Sequence, residues 1–363
     1  MTQKWLAGHH ARKRFGQNFL HDRHWIERIV RAIDPQVGDA LVEIGPGQAA
    51  LTREVIQLTG HETAVEIDRD LAAFLREQFS EEQLSLIEAD ALTLDWNTVL
   101  EGCRLRIIGN LPYNISSPLL FKLLETTDRV IDQHFMLQRE VVDRMVAEPG
   151  SKTYGRLSVM LQYRYQMYKL FDVPPGAFTP APKVVSSIVR MVPKAKKDLP
   201  PVDFKLLGEV VFQAFQQRRK TLRNSLSALA NNATFEMVGI DPAARAETLS
   251  VHDFVHLTNA IATQKEKTES PKRCLIGIFS LVFVSLNLEA PTSPNDVVLC
   301  DAFSSLDQGV PFLSKSTLND WDAQDALTHV LTHNGQPQVQ KTSISKTLEY
   351  DDEKYTRPNA FGH

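Results

Sequence analysis

Three cysteines, Cys103, Cys274 and Cys300, are too few and too scattered over 363 residues for a disulfide framework or a cysteine-rich metal site. Their scarcity points to a reducing compartment, and no metal is expected. The chain also has no apolar run of the ~20 residues that a membrane helix needs. Its longest, Leu275 to Leu288, is interrupted by Gly277, Ser280, Ser285 and Asn287. The first ten residues lack the apolar core of a signal peptide. A soluble, cytoplasmic protein with no membrane partner is the expectation. Nor is there an excess of positive charge. The net charge of −4 argues, as a sum, against a nucleic-acid partner. Its distribution argues otherwise: from Gln264 onward there are 9 Lys/Arg against 13 Asp/Glu, which accounts for the whole of that −4. The remaining body is neutral, and its cations are clustered, so local potential outweighs the total.

What is present is a succession of strand ends. Ala40 to Ile44 reads as a strand, followed by Gly45-Pro46-Gly47-Gln48-Ala49-Ala50 and a helical stretch from Leu51 to Leu58. The G-x-G-x-x-A spacing fits the turn of a nucleotide-binding α/β unit: Gly45 for the bend, Gly47 for close approach of a ligand, Ala50 for tight helix packing. A second strand, Thr63 to Ile67, contains Glu66, 19 positions after Gly47. That matches the ~20-residue offset at which an acid accepts hydrogen bonds from ribose hydroxyls. Asp68 is placed to cap the next helix, Leu71 to Phe79. Beyond the strand Leu84 to Glu88 comes Asp90, either a helix cap or a cofactor contact. Open α/β sheets bind ligands outside the carboxyl ends of their strands, which favours contact.

The fourth end is Ile107-Ile108-Gly109-Asn110-Leu111-Pro112-Tyr113. Alone, it could be no more than a strand, a proline turn and a helix start. In a row with Gly45, Glu66 and Asp90 it suits transfer to an aromatic amine. The Asn110 side-chain oxygen and the Leu111 carbonyl can bind the two amine hydrogens, Pro112 stiffens the corner, and Tyr113 can stack on the ring. A dehydrogenase would need a proton-moving His, Tyr or Lys at a strand end, and none is found; His134 lies inside an apolar strand and reads as core. Phe171 to Pro182 reads as a stiff proline-rich loop, with Phe178 either displayed on it as a second stacking face or tucked into the core. Val184 to Val192 reads as a final strand.

Two basic stretches suggest a phosphate partner. Arg12-Lys13-Arg14 precedes Phe15-Gly16-Gln17-Asn18-Phe19-Leu20, and an amphipathic helix follows, with Ile26, Ile29, Val30 and Ile33 on one side and Asp22 as its cap. Arg218-Arg219-Lys220-Thr221-Leu222-Arg223 puts four cations in six positions on what reads as a packed helix, backed by Leu222, Leu226 and Leu229. Such clusters are commonly solvated surface; on a rigid element they can neutralise phosphates.

In Phe15-Gly16-Gln17-Asn18-Phe19-Leu20, Glu43-Ile44-Gly45-Pro46-Gly47, Asn110 to Ser116, Phe178 to Val184 and Gln217 to Leu226, the chain resembles the ribosomal RNA adenine N6,N6-dimethyltransferases, above all the bacterial small-subunit type. The resemblance runs from about Arg12 to about Ile261. It implies an α/β fold: a Rossmann-like S-adenosylmethionine-dependent methyltransferase domain, mostly parallel sheet with helices on both faces, followed by a small all-α domain. It implies cofactor contacts from Gln17, Asn18, Leu20, Gly45, Gly47, Glu66, Asp90 and Asn110. Asn110, Leu111, Pro112 and Tyr113 would hold the adenine, with Phe178 facing it. RNA contacts would come from Arg12, Lys13, Arg14, Lys183, Arg218, Arg219, Lys220 and Arg223. The implied reaction is dimethylation of two adjacent adenosines near the 3′ end of small-subunit (16S) rRNA, by a monomer acting on a pre-30S-type particle. Rival readings are a large-subunit rRNA methyltransferase of the antibiotic-resistance type, or a mainly non-catalytic assembly factor. Two features depart from the family pattern: Glu88-Ala89 stands where Gly-Asp is common, and the tail has no counterpart. The expected division is an arm at 1–21, the methyltransferase domain at 22–193, a Pro- and Lys-containing linker at 194–202, a helical RNA-binding domain at 203–263, and an unassigned tail at 264–363.

Overall fold

Buried β-branched runs become the strands of one central sheet. A computed structural model of the chain describes residues 17–265. The strands are β2 (Ala40–Ile44), β3 (Glu62–Glu66), β4 (Leu84–Glu88), β5 (Leu105–Asn110), β6 (Val130–Gln138), β7 (Tyr165–Val173) and β9 (Ser186–Pro193). They lie in the order β4-β3-β2-β5-β6-β9-β7. All neighbouring pairs from β4 to β6 are parallel, while β9 is antiparallel to both β6 and β7. A separate two-stranded ladder pairs β1 (Phe19–Leu20) with β8 (Phe178–Thr179). The chain leaves β2 in one direction to β3 and β4, and returns on its other side with β5. Ligands bind such sheets at this reversal, outside the carboxyl ends.

The expected caps form. Asp22 accepts the His24 amide at the start of α1 (Arg23–Ile33), and Asp68 accepts the Asp70 amide at the start of α3 (Arg69–Gln78). Helix α2 (Thr52–Thr59) follows the glycine turn. On one face of the sheet, α1 and α2 bury Ile26, Ile29, Val30, Ile33 and Val55 with Leu41, Ile108, Met136 and Ile188. At the far end of β5, the buried guanidinium of Arg106 donates to both Asp132 oxygens (2.9 and 3.1 Å), to Asp39 (2.6 Å) and to the Ile33 and Asp34 carbonyls (2.6 and 3.0 Å). All five of its N–H donors find an acceptor, and the last carbonyls of α1 are satisfied by a positive group.

On the other face, α4 (Ser116–Leu123), α5 (Arg139–Met145) and α6 (Arg156–Arg164) lead to α7 (Phe204–Gln216), α8 (Leu222–Ser225), α9 (Asn232–Val238) and a helix at residues 251–265. Leu207, Val210, Val211, Phe235 and Phe254 share one core with Phe135, Leu137 and Leu161. The architecture changes across 194–202, but the apolar core runs through.

Two readings need correction. β7 emerges directly from α6, with no glycine or proline between to mark it, and takes up residues up to Val173 that the sequence suggested were partly loop. The basic stretch is also not one helix. Arg218, Arg219 and Lys220 lie on a turn after α7, and Arg223 alone sits on the four-residue α8. A non-local tie causes the break: Thr221 bridges to Arg245, and the Leu222 and Arg223 amides donate to the Ala244 and Pro242 carbonyls at 2.9 and 3.0 Å. Arg218 is itself engaged, donating to Glu247 (3.0 Å) and to the Lys152 and Tyr154 carbonyls. Arg219, Lys220 and Arg223 are exposed and make no ion pair among the described residues. Arg12, Lys13, Arg14 and the tail from 266 lie outside the described residues. No described helix is long and apolar enough to cross a membrane.

A Cβ on Gly109 would lie 2.6 Å from the Ile44 carbonyl oxygen, a backbone atom that cannot step aside. Gly109→Ala is expected to destabilise the protein by about 1–3 kcal/mol in chemical unfolding; a neutral substitution would show that β2 and β5 are less tightly opposed. Arg218→Ala is expected to lower the melting temperature and Arg219→Ala to leave it unchanged, and equal shifts would contradict the bridging role of Arg218.

Candidate active site

The segment Gln17 to Leu20 is drawn over the carboxyl edge of the sheet by three different partners. Gln17 Nε2 donates to Asp68 Oδ2 at 3.0 Å, the Asn18 carbonyl accepts from Asn110 Nδ2 at 3.0 Å, and Phe19-Leu20 pairs with Phe178-Thr179. Beneath it lies a cavity of about 290 Å³. All eight residues expected at the cofactor line it: Gln17, Asn18, Leu20, Gly45, Gly47, Glu66, Asp90 and Asn110. So do Leu111, Pro112 and Tyr113. Four successive strands thus bring their ends to one wall, as the spacing predicts.

The glycine turn has the geometry its residues suggest. Gly47 adopts φ +57°, and a Cβ there would meet the Phe19 ring at 3.2 Å. Its amide donates to Glu66 Oε2 at 3.2 Å, while Glu66 Oε1 accepts from the Asp68 amide at 2.9 Å. Glu66 therefore braces the glycine loop and still faces the cavity with lone pairs to spare, since a carboxylate offers about four acceptor positions. Burial raises its pKa to about 7, against the opposing pull of those amides. Glu43, one strand over, also lines the cavity. Burial likewise raises it to about 7, although it accepts the Thr52 hydroxyl at 2.5 Å. Asp90 caps a turn rather than a helix, its Oδ1 accepting the Leu92 amide at 2.9 Å, and it lines the cavity.

At the end of β5, hydrogen bonding selects the orientation of Asn110. Its partner, the Asn18 carbonyl, can only accept, so the NH₂ group must face it and the amide oxygen points elsewhere. The Leu111 amide donates to the Met136 carbonyl at 3.2 Å, and the Pro112 and Tyr113 carbonyls both accept from the Ser116 hydroxyl at 3.1 Å. Two acceptors are left over: neither Asn110 Oδ1 nor the Leu111 carbonyl receives a hydrogen bond from another described residue. Tyr113 borders the cavity and is tethered through its hydroxyl to Ser186 Oγ at 2.7 Å.

Phe178 is not displayed. It is 3% exposed and packs with Leu20, Ile26, Ala177 and Ile188, away from the cavity wall. The proline-rich segment folds inward because the Ala177 carbonyl accepts the His21 and Asp22 amides at 3.0 and 3.4 Å and Phe178 pairs with Leu20. In this structure Phe178 does not present a second stacking face to the cavity. Lys183 is exposed on the segment that follows. His134 is buried, and burial lowers its pKa to about 4, so the ring is neutral. Among the described residues, no group of three or more His, Cys, Asp or Glu is placed to hold a metal. Sequence reasoning missed Glu43 and Phe19 as cavity residues. A signal for Glu43 was available: a carboxylate in an otherwise apolar buried strand, two residues before the glycine turn.

A family model described as ribosomal RNA adenine dimethylase matches residues 8–263. The chain is 56% identical over 262 residues to the ribosomal RNA small subunit methyltransferase A of Aromatoleum aromaticum, covering 72% of this chain and 98% of that one. It is 54% identical over 256 residues to the protein of that name from Thiobacillus denitrificans, covering 70% of this chain and 100% of that one. Among solved structures, a dimethyladenosine transferase from Plasmodium falciparum superposes with TM-score 0.56 at 25% identity, covering 66% of this chain and 95% of that one. The 23S rRNA methyltransferase ErmE superposes with TM-score 0.53 at 25% identity, covering 68% and 100%.

The raised carboxyls have a consequence for stability. A native pKa above the unfolded value means the folded state holds protons that the unfolded chain has released. That stabilisation is complete below the unfolded carboxyl range and is lost as pH rises through about 7. Relative to a Glu43→Gln, Glu66→Gln variant, which retains His134, the unliganded protein is expected to lose melting temperature between about pH 5 and about pH 8. A difference that stays constant or grows in the wild type's favour would contradict the assignment.

Proposed function

The chain belongs to the ribosomal RNA adenine dimethylase family, and from that premise we infer how its pocket performs the family's S-adenosylmethionine-dependent dimethylation of adenosine N6 in small-subunit rRNA. The observation that carries the reading is the pair of unengaged acceptors, Asn110 Oδ1 and the Leu111 carbonyl, at the rim of a cavity whose other walls suit an adenosine-bearing cofactor.

The residues present fit that cofactor. Glu66 and Asp90 offer carboxylate oxygens for hydroxyl and amine donors, Ile67 and Leu71 offer an apolar wall for a flat base, and the glycine turn admits close approach of the ligand to the backbone. When bound, it supplies a methyl group already activated on a sulfonium sulfur. The protein's task is then orientation. An adenine N6 lone pair is delocalised into the ring; two acceptors that bind the two amine hydrogens turn the group so that the lone pair is directed at the electrophile. The Asn110 and Leu111 oxygens also stabilise the positive charge that grows on the nitrogen as its new bond to carbon forms. Tyr113 covers one face of the base. After the first transfer the methylated nitrogen releases one proton to solvent and one hydrogen remains, so one of the two bonds persists and can direct the second transfer.

The small-subunit substrate is favoured over the large-subunit one by the relatives: identity of 54–56% to small-subunit enzymes, against 25% to ErmE. We further propose that the substrate is a small-subunit particle rather than free rRNA and that the chain acts on it as a monomer, with Arg219, Lys220, Arg223 and Lys183 meeting phosphates. Exposed cations without ion pairs are available for that role; Arg218, already engaged by Glu247, is less so.

The decisive experiment is methyl transfer to undermethylated small-subunit particles, followed by mapping of the modified bases. Two adjacent N6,N6-dimethyladenosines near the 3′ end are expected; modification of large-subunit RNA would overturn the reading. Asn110→Ala should reduce turnover by about 100-fold or more while changing cofactor affinity far less. Arg219→Ala and Arg223→Ala should each weaken particle binding and flatten its dependence on salt concentration, and an unchanged slope in both would remove this turn from the RNA contact.

A further inference from the structure

The Tyr113 phenol is held from outside the adenine-binding motif. Its hydroxyl lies 2.7 Å from Ser186 Oγ, 73 positions later in the chain. Ser186 is fully buried and opens β9, where it is paired on one side with Gln138 of β6 and on the other with Val173 of β7. Its position is thus fixed by two neighbouring strands. The neighbouring Ser187 is fixed similarly, donating to Asp172 at 2.5 Å. Tyr113 is anchored at its other end by the proline corner, where Ser116 ties down its carbonyl. The hydroxyl lies on the Cβ–Cγ–Cζ axis, so a ring secured at both Cα and hydroxyl cannot swing out, and the direction of its long axis is fixed.

We propose that Ser186 is a positioning residue for methyl transfer: through the Tyr113 hydroxyl it fixes the direction of the ring's long axis, and with it the place of the ring against which the target adenine stacks. The proposal rests on the placement of adenine at Asn110-Leu111-Pro112-Tyr113. Tyr113 borders the cavity and Phe178 is not among its lining residues. A small swing of that axis moves N6 off the line toward the methyl group while leaving the stacking area nearly unchanged. The anchor therefore acts on turnover more than on binding. Its effect is greatest in the second transfer, when only one amine hydrogen remains to orient the nitrogen and the place of the ring carries more of the alignment.

The test compares Ser186→Ala, Tyr113→Phe and the double variant in the full chain with undermethylated small-subunit particles. Each single variant is expected to lower kcat by about 3- to 10-fold, the range of one lost hydrogen bond, with KM for particle and cofactor unchanged. The double variant should be no slower than either single one, because both remove the same bond. Mass spectrometry of the product should show monomethyladenosine accumulating in all three. Independent, multiplying losses, or a rise in KM at unchanged kcat, would overturn the proposal, as would a fall in activity that follows melting temperature with no change in the mono- to dimethyl ratio. Wild-type protein that methylated no adenine would instead defeat the underlying placement of the base, so the two failures are distinguishable.

Discussion

The hydrogen bond from Asn110 Nδ2 to the Asn18 carbonyl is the contact on which the site depends. An amide side chain can present either end to a ligand, and the wrong end would repel an amine. A carbonyl partner removes the choice, because only the NH₂ group can face it. The same bond holds down the segment that roofs the cofactor cavity. Closing the cavity and turning the Asn110 oxygen away from its roof are consequences of one interaction, and Gly109 lets β5 run hard against the end of β2 beside it.

The electrostatics of the cavity follow from its depth. Glu43 and Glu66 are buried deeply enough to be pushed to about 7, yet each is engaged by donors on adjacent segments: Thr52 for Glu43, and the Gly47 and Asp68 amides for Glu66. Buried carboxyls cost stability in their charged form. The fold tolerates these because the hydrogen bonds shape the glycine turn, and a ligand hydroxyl at Glu66 would complete the set. The opposite end of the sheet shows the contrasting solution. Arg106 is shielded from water by carboxylates and helix-end carbonyls that use all the donors it directs inward.

Most of the site was legible because its residues lie at strand ends, and strand ends follow from apolar runs broken by glycine, proline or acid. Glu66 could be placed from its offset after Gly47, Asp90 from its place past a strand end, and Asp22 and Asp68 from the helices they precede. What escaped reading depended on partners far along the chain. Nothing local distinguishes a displayed Phe178 from a buried one; its pairing with Leu20 decides. The leucine spacing around Arg218 to Arg223 does suggest a helix, and it is Thr221 pairing with Arg245 that interrupts it. β7 was hidden because no turn residue separates it from α6. Ser186 had no local signal at all, being one serine among several at the start of a strand.

The roof over the cavity also bears on the order of folding. Residues 17–20 precede the other described elements, but they close onto Asp68, Asn110 and Phe178-Thr179, partners 51 to about 160 positions later. The roof can therefore close only after β5 and β8 have been made. A chain truncated before residue 178 would lack the ladder that secures it.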